Sequence, residues 1–379
     1  MFRQFYSPTR VIFGFGALGS LDRELSKYGK KVLVVTDPGI EKTGLLAPVL
    51  EQIEKLGDKV QIFSQVESNP TVENVTAGLE VCKQVDPEVL VAVGGGSPID
   101  TAKAIAVLAR NSGTLTDYEG FEKLTAPPLP VIAIPTTVGT GSEVTKGAVI
   151  SDHQLHRKLI IVSDQMYPKA AFLDPKMVES LPGGICAATG LDALTHAIEA
   201  YVCTGQNPFS DALNLYAIEL IGTHLRPAVA GNGNSLHQMQ IAACLAGSGF
   251  HNAGLGIAHA LANTVGGHFS VHHGVTNGIL LPHVMRFNLI ASPERFERIA
   301  GALGERTDGL TAMQAATKAV EAVKSLIADI DMPARLRDLK VTDDLFDQMA
   351  REALDQLDRP ANPRKNSQAN LKSILADAF

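Results

Sequence analysis

The stretch VLVAVGGGSPIDTAKAIAVLAR, residues 89–110, decides how the first half of this chain folds. VLVAVGG (89–95) is a continuous apolar run of strand length, and SPIDTAKAIAVLAR (97–110) carries helical periodicity. A strand without polar alternation is buried on both faces, which marks a parallel sheet. Three glycines between strand and helix let the backbone approach an anion, Ser97 is placed to cap the helix, and Pro98 suits its first turn. Free N–H groups at such a helix start favour a pyrophosphate. A tight turn with a capping serine satisfies the same residues without any ligand.

The same rhythm extends outward. VIF (11–13), KVLVVTD (31–37), KVQIFS (59–64) and LPVIAIPTT (129–137) read as strands. LGSLDRELSKYG (18–29), TGLLAPVLEQIEKLG (43–57) and TVENVTAGLEVCKQV (71–85) read as helices. This alternation predicts an α/β, Rossmann-like domain with a parallel sheet over residues 1–181. Past Leu181-Pro182-Gly183-Gly184 the pattern changes. Segments 185–203, 209–228, 235–250, 255–266, 275–290, 293–303, 311–328 and 343–357 are helical in period, and a short helix follows the loop that starts at Asn362. Residues 182–379 are therefore predicted to be an all-α domain.

With 379 residues the chain is too long for one core, and 45% hydrophobic residues suffice for two. A net charge of -7 and the lack of any Lys/Arg block argue against nucleic-acid and membrane-surface partners. Cys82, Cys186, Cys203 and Cys244 are scattered without a C-x-x-C, as reduced thiols of a cytoplasmic protein are. The N-terminus MFRQFYSPTR lacks the apolar core of a signal peptide. Runs of about eighteen apolar residues, as a spanning helix needs, are also missing.

The helical half carries the candidate chemistry. In GLDALTHAIEAY (190–201), Asp192 and His196 are four apart and leave one face of a helix. His259 lies on a second helical run, and His273 follows a Gly-rich turn. One carboxylate and three imidazoles would suit Fe(II), Zn(II) or Mn(II). Six of the eleven histidines fall between 251 and 283, and spacing alone does not say which of them bind.

Two glycine motifs compete for a dinucleotide. Gly14-Phe-Gly-Ala-Leu-Gly19 is formally a G-x-G-x-x-G, with Asp37 ending the next strand. Its strand is short, and a turn that needs glycine for backbone reasons accounts for it better. The 94–97 turn is the stronger candidate. IPTTVGTGSEVT (134–145) adds Thr136, Thr137, Thr140, Ser142 and Thr145 after another strand. Asp37 can accept from a ribose hydroxyl and would repel a 2′-phosphate, which favours NAD over NADP; it can equally be a turn residue.

Taken together, YSPTRVIFGFGAL, GGGSPIDTAKAIA, PTTVGTGSEVT, GLDALTHAIEAY, HHGVTNGILLPHV and the final NPR resemble the iron-dependent (group III) alcohol dehydrogenases over nearly the whole chain. The resemblance implies a nucleotide-binding α/β domain, a helical metal- and substrate-binding domain, and a homodimer or larger homo-oligomer. It assigns the metal, Fe(II) with Zn(II) as the other option, to Asp192, His196, His259 and His273. It places NAD(P), with NAD preferred, at Asp37, Asn69, Gly95, Gly96, Ser97, Asp100, Thr136, Thr137, Thr140, Thr145 and Lys158. The implied reaction is hydride transfer between an alcohol and NAD, with the cation acidifying the alcohol and no side-chain base assigned. Relatives often carry a histidine four residues after the third ligand. Here Asn263 stands there, so a proton relay through that position does not carry over; His268 or His272 would have to replace it. The alternatives are a dehydroquinate-synthase-like cyclase, which uses NAD and a metal without net redox change, and a non-redox metal protein.

Overall fold

The apolar runs form one parallel sheet. The computed structural model describes residues 3–57, 60–153, 157–356 and 361–379. Its strands are β1 (Arg10–Phe13), β2 (Val32–Val35), β3 (Val60–Phe63), β4 (Val89–Gly94), β5 (Gly120–Phe121), β6 (Val131–Pro135), β7 (Gly147–Asp152), β8 (Arg157–Val162) and β9 (Ala170–Leu173). Six of them lie in the order β1-β9-β6-β4-β2-β3, every pairing parallel. Alternate side chains enter two cores, one on each face. Leu33, Val35, Leu90, Ala92, Val131 and Ala133 join one, while Val32, Val34, Val89, Val91, Ile132 and Ile134 join the other.

The helices of this half are α1 (Leu21–Leu25), α2 (Pro38–Thr43), α3 (Ala47–Glu54), α4 (Val72–Val85) and α5 (Gly96–Leu108). Two differ from the sequence reading. The helix expected over 43–57 is the shorter α3, with Pro48 in its first turn; α2 ahead of it was not anticipated, and Gly44 closes it in the left-handed region at φ +78°. The one expected over 18–29 shrinks to α1 after a 3-10 turn. A second sheet, β5-β8-β7, was not anticipated; β7 and β8 pair antiparallel from Gly147↔Val162 to Asp152↔Arg157. Lys59, the first residue of the third predicted strand, and Leu357, the last of the predicted helix 343–357, lie outside the described residues.

The remaining elements are helical: α6 (Gly183–Val202), α7 (Pro208–Val229), α8 (Gly233–Ala253), α9 (Ile257–His268), α10 (His273–Asn288), α11 (Pro293–Ala302), α12 (Ala312–Asp329), α13 (Phe346–Glu352) and α14 (Gln368–Asp377). Every residue from Cys186 to Val202 is buried, so α6 is enclosed on all sides by its neighbours, including α7, α8 and α10. Small residues permit this: a Cβ on Gly190 would fall 2.4 Å from Leu225, and one on Gly278 of α10 would fall 2.7 Å from Leu191. The chain divides into two compact units, 7–137 with Gly141–Leu181, and 3–6 with Val138–Thr140 and Pro182–Phe379. Among the described residues no single helix is long and apolar enough to cross a membrane.

Candidate metal centre

Three side chains predicted to bind metal meet in the helical unit. Asp192 and His196 project one turn apart from α6, and His259 comes from the first turn of α9. One ligand-capable atom from each lies within 4.8 Å of the others, and all three residues are buried. The His196 ring is stacked between Phe250, at 4.4 Å between centroids, and His259, at 4.5 Å. His273, the first residue of α10, sits at the rim: its side chain is 30% exposed and its Nε2 is 3.8 Å from Asp192 Oδ1. Asn277 Nδ2, one turn further along α10, donates to Asp192 Oδ1 at 2.8 Å and lies 3.1 Å from His273 Nε2.

The electrostatics fit a cation. Burial alone would raise the Asp192 carboxyl, but His196, His259 and His273 outweigh it and hold the group well below the usual carboxylate range. Burial pushes His196 down to about 4, against the pull of Asp192. Burial would also lower His259, yet Asp192 and Glu199 on either side carry it up to about 10. His196 Nδ1 and His259 Nε2 are buried with no hydrogen-bond partner among the described residues. Orphaned buried nitrogens are rare and costly, and here they border a carboxylate, the donor set of a divalent metal. Asp192, His196 and His259 therefore fit such an ion, with His273 on the open side.

The two histidines proposed as stand-ins at Asn263 have other surroundings. His268 Nε2 is held 2.7 Å from Glu352 Oε2, and His272 is an exposed residue preceding α10.

The nucleotide motifs lie at the carboxyl ends of β2, β4 and β6, which are neighbours in the sheet. The chain passes from β2 to β3 on one side and then to β4 on the other, so the order switches there, where open α/β sheets bind ligands. Gly94 ends β4 at φ +149°, and a Cβ there would fall 2.5 Å from Pro98 Cγ and 3.3 Å from Asp37 Oδ2, so only glycine fits. Asp37 Oδ1 caps α2 by accepting from the Gly39 and Ile40 amides at 2.8 and 2.9 Å. Asp37 is thus a turn residue, with its second oxygen near the glycine turn.

Ser97 does not cap α5. The helix starts one residue earlier than expected, Gly95 takes the cap position, and Ser97 Oγ donates to the Ser68 carbonyl at 2.6 Å. Asn69 is exposed in the loop after β3, and Lys158 lies on β8. Thr136 and Thr137 follow β6, with Thr137 packed beside Gly95. Thr140 groups with the helical unit, and the other predicted cofactor residues with the α/β unit. Asp100 and Thr145 are engaged internally. Asp100 accepts from Ser142 Oγ at 2.5 Å and from the Val149 amide at 3.0 Å, while Thr145 Oγ1 accepts from Lys103 Nζ at 3.2 Å.

A family profile described as iron-containing alcohol dehydrogenase matches residues 8–175, and one described as Fe-containing alcohol dehydrogenase family, C-terminal, matches residues 186–379. The chain belongs to the iron-containing alcohol dehydrogenase family. The 1,3-propanediol dehydrogenase of Citrobacter freundii is 44% identical over 377 residues, covering 98% of this chain and 97% of that protein. The NAD-dependent methanol dehydrogenase of Bacillus methanolicus is 38% identical over 379 residues, 99% of each. A crystal structure of 1,3-propanediol oxidoreductase superposes with a TM-score of 0.98 at 41% identity, covering 100% of both chains. This family member is thus an oxidoreductase with alcohol dehydrogenase and, in reverse, aldehyde reductase activity; membership implies the use of iron and NAD and favours dehydrogenation over the cyclase alternative.

Proposed function

We propose that this enzyme oxidises short primary alcohols or diols with NAD, at a divalent iron held by Asp192, His196, His259 and His273. One observation carries the reading: a buried carboxylate and two buried imidazoles converge within 4.8 Å, and two of the imidazole nitrogens have no hydrogen-bond partner among the described residues. Zn(II) suits the same donors. The substrate class follows the names of the relatives, 1,3-propanediol and methanol dehydrogenases.

When bound, the cation supplies Lewis-acid polarisation of the substrate oxygen, and the nicotinamide supplies the hydride acceptor. The chain's own residues position and exclude. Phe250 covers one face of His196 and keeps water from that side. Asn263, one turn after His259 on α9, can hydrogen-bond a substrate hydroxyl but cannot take its proton. The first turn of α5, entered through Gly95 and Gly96, offers free amides to a pyrophosphate. The four cysteines are buried and form no disulfide among the described residues, which suits a reducing cytoplasm. A second copy of the chain is the proposed partner, across the edge strand β1. Its outer side pairs with no other strand among the described residues, and it exposes Val11 (37%) and Phe13 (65%).

The direct test follows absorbance at 340 nm with anaerobically iron-loaded protein, NAD and 1,3-propanediol. The expected result is NADH formed in step with aldehyde. Turnover of a substrate without net NADH would move the assignment to the cyclase alternative.

Asp37 tests the cofactor preference. Asp37→Ser keeps a capping oxygen for α2 and removes the charge. NADP should gain and NAD should lose roughly tenfold in kcat/KM, about 1.4 kcal/mol each. An unchanged ratio would place the discrimination elsewhere.

A further inference from the structure

Glu199 is a buried acid on α6 that none of the ligand assignments uses. It follows Asp192 by seven residues and His196 by three, so it shares their helix face. Its side chain is 3% exposed. Oε2 lies 2.7 Å from His259 Nδ1, and the same carboxylate accepts from three amides at the start of α9: Gly256 at 3.1 Å, Ala258 at 2.7 Å and His259 at 3.4 Å. The cap residue of α9, Gly256, has no side chain to serve those amides, and a Cβ there would fall 2.7 Å from Glu199 Oε1.

A carboxylate has only acceptors to offer, so the nitrogen facing it must carry the hydrogen. That leaves the other ring nitrogen, Nε2, for a cation, and Nε2 is the atom without a hydrogen-bond partner among the described residues, 3.8 Å from Asp192 Oδ1. We infer that Glu199 is the positioning residue of the metal centre: it locks the His259 ring with Nδ1–H toward its own carboxylate and Nε2 toward the ion, and anchors that ring to the first turn of α9. This rests on the assignment of the ion to Asp192, His196 and His259. Outer partners of this kind orient the ligand and raise its basicity, and losing one typically weakens metal binding 10–100-fold.

The competing role is a helix cap alone, and two variants separate them. Co(II) is the probe, its dissociation constant read by chelator competition and its surroundings by ligand-field absorption. Glu199→Gln should bind Co(II) roughly 10–100-fold more weakly, with a shifted spectrum. The double variant Glu199→Ala/Gly256→Ser removes the carboxylate and supplies a serine cap in the space it vacates. It should recover the melting temperature of the metal-free protein while Co(II) binding stays weak. Co(II) affinity in Glu199→Gln within threefold of wild type would overturn the role. So would a double variant that recovers stability and affinity together, or the failure of both variants to fold, since either outcome makes Glu199 a cap. Wild-type protein that binds no Co(II) would overturn the ion assignment itself, a result distinct from an unaffected variant.

Discussion

His259→Ala should lose metal and turnover together, by roughly a thousandfold each, or about 4 kcal/mol. The side chain is one of three whose ligand atoms converge, and its ring also stacks on His196. Truncation removes a donor and the wall that fixes a second one. The change also deprives Glu199 of its 2.7 Å partner, although the amides of Gly256 and Ala258 remain. Leaving a buried acceptor short of one bond costs about 1–3 kcal/mol, too little to unfold a helical unit of this size. The α/β unit has its own cores and should melt as wild type does. Metal content after anaerobic loading, NADH formation and circular dichroism check the three parts. A variant that kept iron and activity would remove His259 from the ligand set.

The second large effect concerns a residue with no assigned role. Lys103 of α5 is 1% exposed, and its three N–H groups are shared among the Ser142 and Gly147 carbonyls at 2.7 and 2.9 Å and Ser142 Oγ and Thr145 Oγ1 at 3.0 and 3.2 Å. Asp100 Oδ1 is 3.9 Å away, and Glu143 is also buried. Burial pushes Lys103 down to about 8 and Glu143 up to about 7. Lys103→Met fills the space but takes a charged donor from the Ser142, Thr145 and Gly147 oxygens and removes the cation from two buried acids. Breaking a buried charge pair from one side costs about 3–5 kcal/mol, which should lower the melting temperature of the α/β unit by roughly 10 °C. The loop carrying Thr136 to Thr145 should loosen with it, weakening NAD binding.

The deficit should widen with pH. Without Lys103 the folded protein holds the Glu143 proton more tightly still, while the unfolded chain releases it near the ordinary value. A group with a raised folded pKa contributes most below its unfolded pKa, and that contribution is lost as pH rises through the folded one. Thermal melts at pH 5 and pH 8 should therefore differ more in the variant than in wild type. Equal deficits at both would sever Glu143 from the effect.

The parallel sheet was legible because its strands are unbroken apolar runs, and the helical half because its periodicity persists. What escaped has physical reasons. In β9, AAFL is short and half alanine, and β7 and β8 mix charged ends with a half-exposed face. The late start of α3 follows a left-handed turn at Gly44 that amphipathic spacing hides. Asp192 and His196 are marked by helical spacing, and Glu199 carries the same signal three residues beyond His196. Lys103 had none: nothing in DTAK distinguishes a lysine sealed in the interior from one in solvent. The contact of Glu199 with His259 spans sixty positions and belongs to tertiary packing alone.

The enclosure of α6 constrains how a relative of this protein could change its diet. Each position from Cys186 to Val202 already abuts something, so an altered side chain there would disturb packing before it altered preference. New substrate tastes have to be written on other segments, with that helix inherited as a fixed part.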